Sequence, residues 1–360
     1  MSILKNNRIL FLFAVIMLFS ACKKIFEFPE EKEFLSPDLN YKEKLLQPIL
    51  GRTLILGSLN SASSTLPLQL EIVNARFGNG RPVTDLFQLR PTYVWTAPYT
   101  GLEKTLEEIA SKRKLENHPL FEVRGSGQFI FWGSSSNELV KPRAADSSNF
   151  PQDSRFFDLK VTNSGGTMML KDFEIRMFRE RPYEPSNDFN YYSGKVAYAD
   201  EVTKKGINYL LANINNVLGV STKKNMVNNS TTKNLVVYIR PFTGGNGHNL
   251  RIKVLGRDSV ALNPKLFGET KWTTMLHAFN MQKTDEYVQY DVAYPIPLAP
   301  LPTVYAPNGT RAVTKIEYSR LGPSGIRQFS SFGIDFAIFK EGDWEIVFHF
   351  KNENPKFEDD

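Results

Sequence analysis

Residues 334–350, IDFAIFKEGDWEIVFHF, decide the fold class. Ile334, Phe336 and Ile338 alternate with Asp335 and Ala337, and Trp344, Ile346, Phe348 and Phe350 alternate with Glu345, Val347 and His349. A period of two sends one set of side chains to a core and the other set outward, which is the signature of β-strands. Glu341-Gly342-Asp343 separates the two runs with turn-forming residues. The stretch predicts a β-hairpin, with Asp335 and Glu345 on its outer face and His349 opposite Trp344 and Phe348.

The same pattern recurs toward the N-terminus. Residues 235–240 and 250–255 are strand-like runs around the glycine-rich 243–248 loop, and they predict a second hairpin. Residues 156–161 and 169–178 flank Asn163-Ser164-Gly165-Gly166, a third. Residues 66–73 and 129–132 add strands. Residues 294–307 hold five prolines, at 295, 297, 300, 302 and 307, which suits an extended edge or connector. Residues 199–217 read equally as helix or strand. One helix is expected: Leu102, Leu106, Ile109 and Arg113 fall on one face at three- and four-residue spacing, with Glu103, Glu107, Glu108 and Lys112 on the other. The polar, proline-containing stretch 179–190 reads as a boundary. The expectation is a mainly β chain of two β-sandwich domains, immunoglobulin-like or jelly-roll-like. They span residues 41–185 and 186–360, with a short helical insertion in the first.

The N-terminus carries a different signal. Lys5 and Arg8 precede an apolar run at 9–18, and Phe19-Ser20-Ala21 leads to Cys22, the single cysteine of the chain. The run is shorter than the roughly 20 residues of a membrane span. A basic start, an apolar middle and small residues before the break mark a cleaved export signal. Residues 1–21 are therefore expected to be a lipoprotein signal peptide, with acylation at Cys22 and residues 22–40 forming a tether. Cleavage would remove only Lys5 and Arg8 from the 44 basic and 38 acidic residues. The remaining positive balance is too weak and dispersed for a nucleic-acid surface. With one cysteine there is neither a disulfide framework nor a cysteine metal site.

Catalytic signatures are sparse. The four histidines, His118, His248, His277 and His349, show no metal-ligand spacing. The glycine-rich loops at 78–80 and 244–247 lack the helix that a phosphate cradle needs. Acid pairs for glycoside hydrolysis could come from Asp335 with Glu345, or from Asp285 or Glu286 with Asp291. The oxygen-rich loops 146–153 and 187–190 could brace a structural calcium ion; no other cofactor is expected. Tyr93, Trp95 and Tyr99 lie among Pro91, Pro98 and Gly101 and are candidates for stacking on sugar rings, with Trp272 a further candidate. The Tyr191-Tyr192 pair is another candidate, and Arg90 and Arg124 could supply donors.

Several blocks carry a family likeness: FLSPDLNYKEK at 34–44 with LGRT at 50–53, GRPVTDLFQLRPTYVW at 80–95, FFDLKVTNSGG at 156–166, RERPYEPSNDFN at 179–190, and FGIDFAIFKEGDWEIVFHF at 332–350. The chain resembles an uncharacterised family of Bacteroidota surface lipoproteins associated with SusC/SusD-like nutrient-uptake systems. Its layout of lipid, tether and β-sandwich domains is similar to that of SusE- and SusF-like proteins. The resemblance implies an envelope binding role and a β-rich, multi-domain body; with the export signal and the aromatic candidates, the expectation is a lipid-anchored outer-membrane protein, facing the cell surface, that captures glycan beside a TonB-dependent transporter and a SusD-like partner. The expected role is binding without catalysis, and the resemblance brings no site residues. Two other roles follow from other features: a structural subunit of an outer-membrane complex, and a glycoside hydrolase.

Overall fold

The computed structural model describes residues 33–140, 154–191, 193–200 and 202–360. The chain is mainly β and builds two sandwiches. In the first, a sheet orders Leu45–Leu46, Gly166–Ile175, Arg155–Asn163 and Gln69–Phe77 side by side. A three-stranded sheet of Leu54–Leu56, Phe129–Phe131 and Phe121–Val123 completes the core. Aromatic rings carry much of the contact: Phe157 stacks on Phe173 at 4.9 Å, and Phe129 meets Phe157 edge-on at 5.3 Å. Each ring buried this fully contributes about 1.5–3 kcal/mol. The expected hairpin around 163–166 forms, pairing Asn163 with Gly166. A bulge at Asp158 interrupts its register on both sides. The Asp158 carboxylate accepts from the Asp172 N–H and the Asn74 amide, both at 3.0 Å.

The second sandwich places the final strand at its centre. Its six-stranded sheet runs Leu210–Leu211, Leu235–Pro241, Trp344–Phe350, Asn249–Leu255, Tyr287–Asp291, Phe279–Lys283. The facing sheet is built on Arg327–Ile338, with Ala312–Leu321 on one side and Tyr183–Glu184 and Asn213–Asn215 on the other. Residues 199–217 thus contribute short strands rather than a helix.

Two expected hairpins are not hairpins. Arg327–Ile338 and Trp344–Phe350 lie in different sheets, so residues 339–343 form an arch between layers. The inward sets then face each other, with Phe332 at 5.4 Å from both Phe348 and Phe350. Leu235–Pro241 and Asn249–Leu255 do not pair either, because Trp344–Phe350 inserts between them, antiparallel to one and parallel to the other. A central strand is covered on both faces, which is why His349 is buried rather than solvent-facing; its Nε2 lies 3.3 Å from the Ser259 hydroxyl. Pairing with the first sandwich ends at Phe178, bridged to Ile49, and pairing with the second begins at Tyr183.

The helix is shorter than its periodicity implied. It spans Leu106–Ser111, capped by the Thr105 hydroxyl, which accepts from the Glu108 N–H at 3.1 Å. Leu102 lies outside it and is 76% exposed, and Arg113 begins a strand. Glu103, assigned to the polar face, is buried.

Candidate functional site

Strands Leu89–Trp95 and Arg113–Pro119 pair only with each other and form a two-stranded arm tipped by the short helix. The arm rises from the first sandwich, where the His118 ring packs on Trp132 at 4.9 Å. At its tip it grips the second. Tyr93 is paired with Leu115 and Trp95 with Arg113, so these four side chains share one face of the arm. Leu89 falls on the same face by its even spacing. That face is open: Tyr93 is 54% exposed and Trp95 36%, with Leu89 and Leu115 exposed beside them. The Arg113 guanidinium lies 4.5 Å from the Tyr93 ring centroid, a cation–π geometry. Arg113 also donates to the Tyr294 carbonyl at 2.9 Å, tying the face to the second sandwich.

Beyond Trp95 the aromatic line turns inward. Trp95 meets Tyr99 at 5.5 Å, and His277 stacks on Tyr305 at 5.0 Å with an interplanar angle of 2°. The Tyr99 hydroxyl lies 2.6 Å from His277 Nδ1, and His277 Nε2 lies 2.8 Å from the Glu103 carbonyl. A carbonyl oxygen only accepts, so Nε2 carries a hydrogen, and Nδ1 is the atom that faces the Tyr99 hydroxyl. Burial pushes the Tyr99 hydroxyl up, which keeps it a donor. Glu103 is held from the other side. Burial alone would raise its carboxyl, but the Lys112 ammonium at 2.5 Å and the Thr100 N–H at 2.9 Å outweigh that and hold it at about 2. At Gly101, where φ is +76°, a Cβ would stand 2.8 Å from Thr303 Cγ2, so the two loops meet only because this position has no side chain.

The cavity beside Tyr99, His277, Pro295, Leu298 and Tyr305 measures about 20 Å³, room for one water. The junction therefore has no space for anything larger than a water beside these rings.

The sequence candidates divide accordingly. Tyr93 and Trp95 are strand residues on an exposed face, whereas Tyr99 is part-buried in the junction. Trp272 is not a surface residue: it is 6% exposed and belongs to the core of the second sandwich, where its carbonyl accepts from the Tyr290 hydroxyl at 2.7 Å. Tyr191 packs on Phe178 and under Arg181. Tyr192, Cys22 and the 146–153 loop lie outside the described residues. Arg90 bonds Gln88, and Arg113 takes the place beside Tyr93 that was assigned to Arg90 or Arg124. Arg113 carried no motif; only its register opposite Trp95 reveals it.

The acid pairs do not converge. Asp335 sits opposite Val313, while Glu345 pairs with Arg240 at 2.7 Å in the other sheet. Asp285 holds Lys265, Glu286 lies 3.7 Å from Lys253, and Asp291 accepts from Asn249 and Asn280. Among the described residues no three His, Cys, Asp or Glu side chains are grouped to hold a metal. In the 187–190 loop, the Asp188 carboxylate is occupied by the Ser186 hydroxyl and the Phe189 N–H.

The chain belongs to the family described as a domain of unknown function, DUF5007, whose profile matches residues 59–359. The match takes in the arm, the second sandwich and most of the first, leaving out its strands Leu45–Leu46 and Leu54–Leu56. No curated protein matches the chain.

Proposed function

We propose that this chain is a lipid-anchored accessory protein of the outer-membrane surface that captures glycan for a TonB-dependent uptake system, with the arm as its contact element. One observation carries the reading: Tyr93 and Trp95 stand exposed on one face of a ribbon that lies outside both cores. Rings presented this way stack on the C–H faces of sugars, while neighbouring polar groups meet the hydroxyls. The anchor is Cys22. Retardation of soluble residues 23–360 in native gels cast with a panel of polysaccharides tests the reading. Retardation by one glycan, relieved in the Trp95→Ala variant, supports it, and migration unchanged across the panel counts against it.

A second reading is a structural subunit that docks this face on an outer-membrane partner. The aliphatic Leu89 and Leu115 beside the rings favour it, since they suit a protein surface better than a sugar. Crosslinking from the arm on intact cells separates it from the first: a protein adduct at the arm without glycan retardation selects docking.

A further inference from the structure

We infer that the seam between the sandwiches holds a site for an anionic group, formed by Arg52, Arg181 and Arg311 around Glu184. The four residues come from three segments. Arg52 belongs to the first sandwich, Arg181 and Glu184 to the crossing segment, and Arg311 to the loop leading into Ala312–Leu321. Arg52 Nη2 lies 2.8 Å from Glu184 Oε1, and Arg181 Nη1 is 3.7 Å from the same oxygen. Arg311 Nη2 stands 3.8 Å from Oε2, within reach of the charge but beyond hydrogen-bond distance.

One carboxylate thus faces three guanidiniums, and an arginine does not shed its charge by losing a proton at physiological pH. The cost of crowding them is visible at Arg52. Burial lowers its pKa, Glu184 opposes that, and Arg181 and Arg311 lower it further. Arg52 is held against the Phe339 ring at 3.8 Å, and its side chain is 9% exposed. The Nε atoms of Arg52 and Arg181 are buried without an acceptor. Arg311 is the open edge, at 39% exposed. An oxyanion arriving there would present two oxygens to a guanidinium fork and offset the excess charge. The ligand class is a carboxylate, sulfate or phosphate, either free or carried on an acidic sugar. The site is separate from the aromatic face of the arm and stands whether or not that face binds glycan.

The test is thermal unfolding of residues 23–360 with low-millimolar sulfate, and separately with galacturonate against galactose, at ionic strength matched with chloride. Wild type should gain about 2–4 °C in sulfate over chloride. Arg311→Gln, altered at the exposed edge, should fold with a Tm in chloride no lower than that of wild type and lose that gain. Glu184→Gln removes the resident carboxylate and should enlarge it. A gain in sulfate alone identifies a free-ion site, and a gain in galacturonate over galactose identifies an acidic sugar. An equal response in wild type and Arg311→Gln, or none in wild type to either probe, overturns the proposal.

Discussion

Trp95 and Trp272 are the same residue type in similar local sequence, yet one is surface and the other core. Trp95→Ala removes a ring that touches Tyr99 and solvent. It should leave the fold intact and weaken glycan retardation about tenfold, a loss of ~1.4 kcal/mol. Trp272→Ala opens a cavity in the second core and should cost about 3–5 kcal/mol in urea unfolding. Glu103 makes a pH prediction. Its pKa falls from 4.5 to about 2 on folding, so its contribution is complete above 4.5 and is lost as pH drops toward 2. The stability gap between wild type and Glu103→Gln should therefore be flat from pH 7 to 5 and close below that. A gap that stays open at pH 2 would remove Glu103 as the cause. None of this was legible in residue type: the burial of Glu103 and of Trp272 depends on segments far away in sequence. Candidate rings could be proposed from sequence, but their exposure could not.

At the scale of elements, the alternation of the sequence marks strand faces but not strand neighbours. Period two states which side of a strand is apolar; it does not state which strand supplies the hydrogen bonds. An arch and a hairpin therefore look alike at 332–350, and only the insertion of Trp344–Phe350 between Leu235–Pro241 and Asn249–Leu255 separates them. The helix erred for a different reason. Its start is legible in the capping-box pattern Thr105-Leu106-Glu107-Glu108: the Thr105 hydroxyl takes the Glu108 N–H, and the Glu108 carboxylate reaches back one residue beyond the cap to the Lys104 N–H at 2.8 Å. Periodicity drew the helix back to Leu102 instead. Thr105→Ala should cost about 1 kcal/mol. Because Ile109 packs on Ala293 and Leu298 of the second sandwich, the loss should appear as faster amide exchange at the arm tip as well as a lower Tm. Unaltered exchange there would show that the helix is held by the junction alone.

At the scale of the molecule, the described residues join the two sandwiches at the arginine cluster around Glu184 and at the arm tip, through His277 and Tyr294. Both lie at the same end of the first sandwich. Arg155 marks that end, paired with Phe77 and Ile175 just before the chain crosses to Tyr183. The chain enters the first sandwich at the other end, where the Glu33 carboxylate accepts from the Ser164 N–H at 3.1 Å and the Asn163 amide donates to the Phe34 carbonyl. The nine residues of Arg155–Asn163 separate the two ends by roughly 30 Å. If Cys22 is the anchor, as proposed, the lipid would hold the first sandwich near the bilayer and the arm tip and second sandwich would point outward. The single cysteine makes this measurable, because once Cys22 is acylated any introduced thiol is unique. A fluorophore on Ser164→Cys should be quenched strongly by headgroup quenchers in vesicles carrying the acylated protein. One on Ser324→Cys, in the turn between Ala312–Leu321 and Arg327–Ile338 at the far end of the second sandwich, should be quenched weakly. Equal quenching at both sites would mean that the body lies flat on the membrane, and the arm would then face lipid rather than the medium.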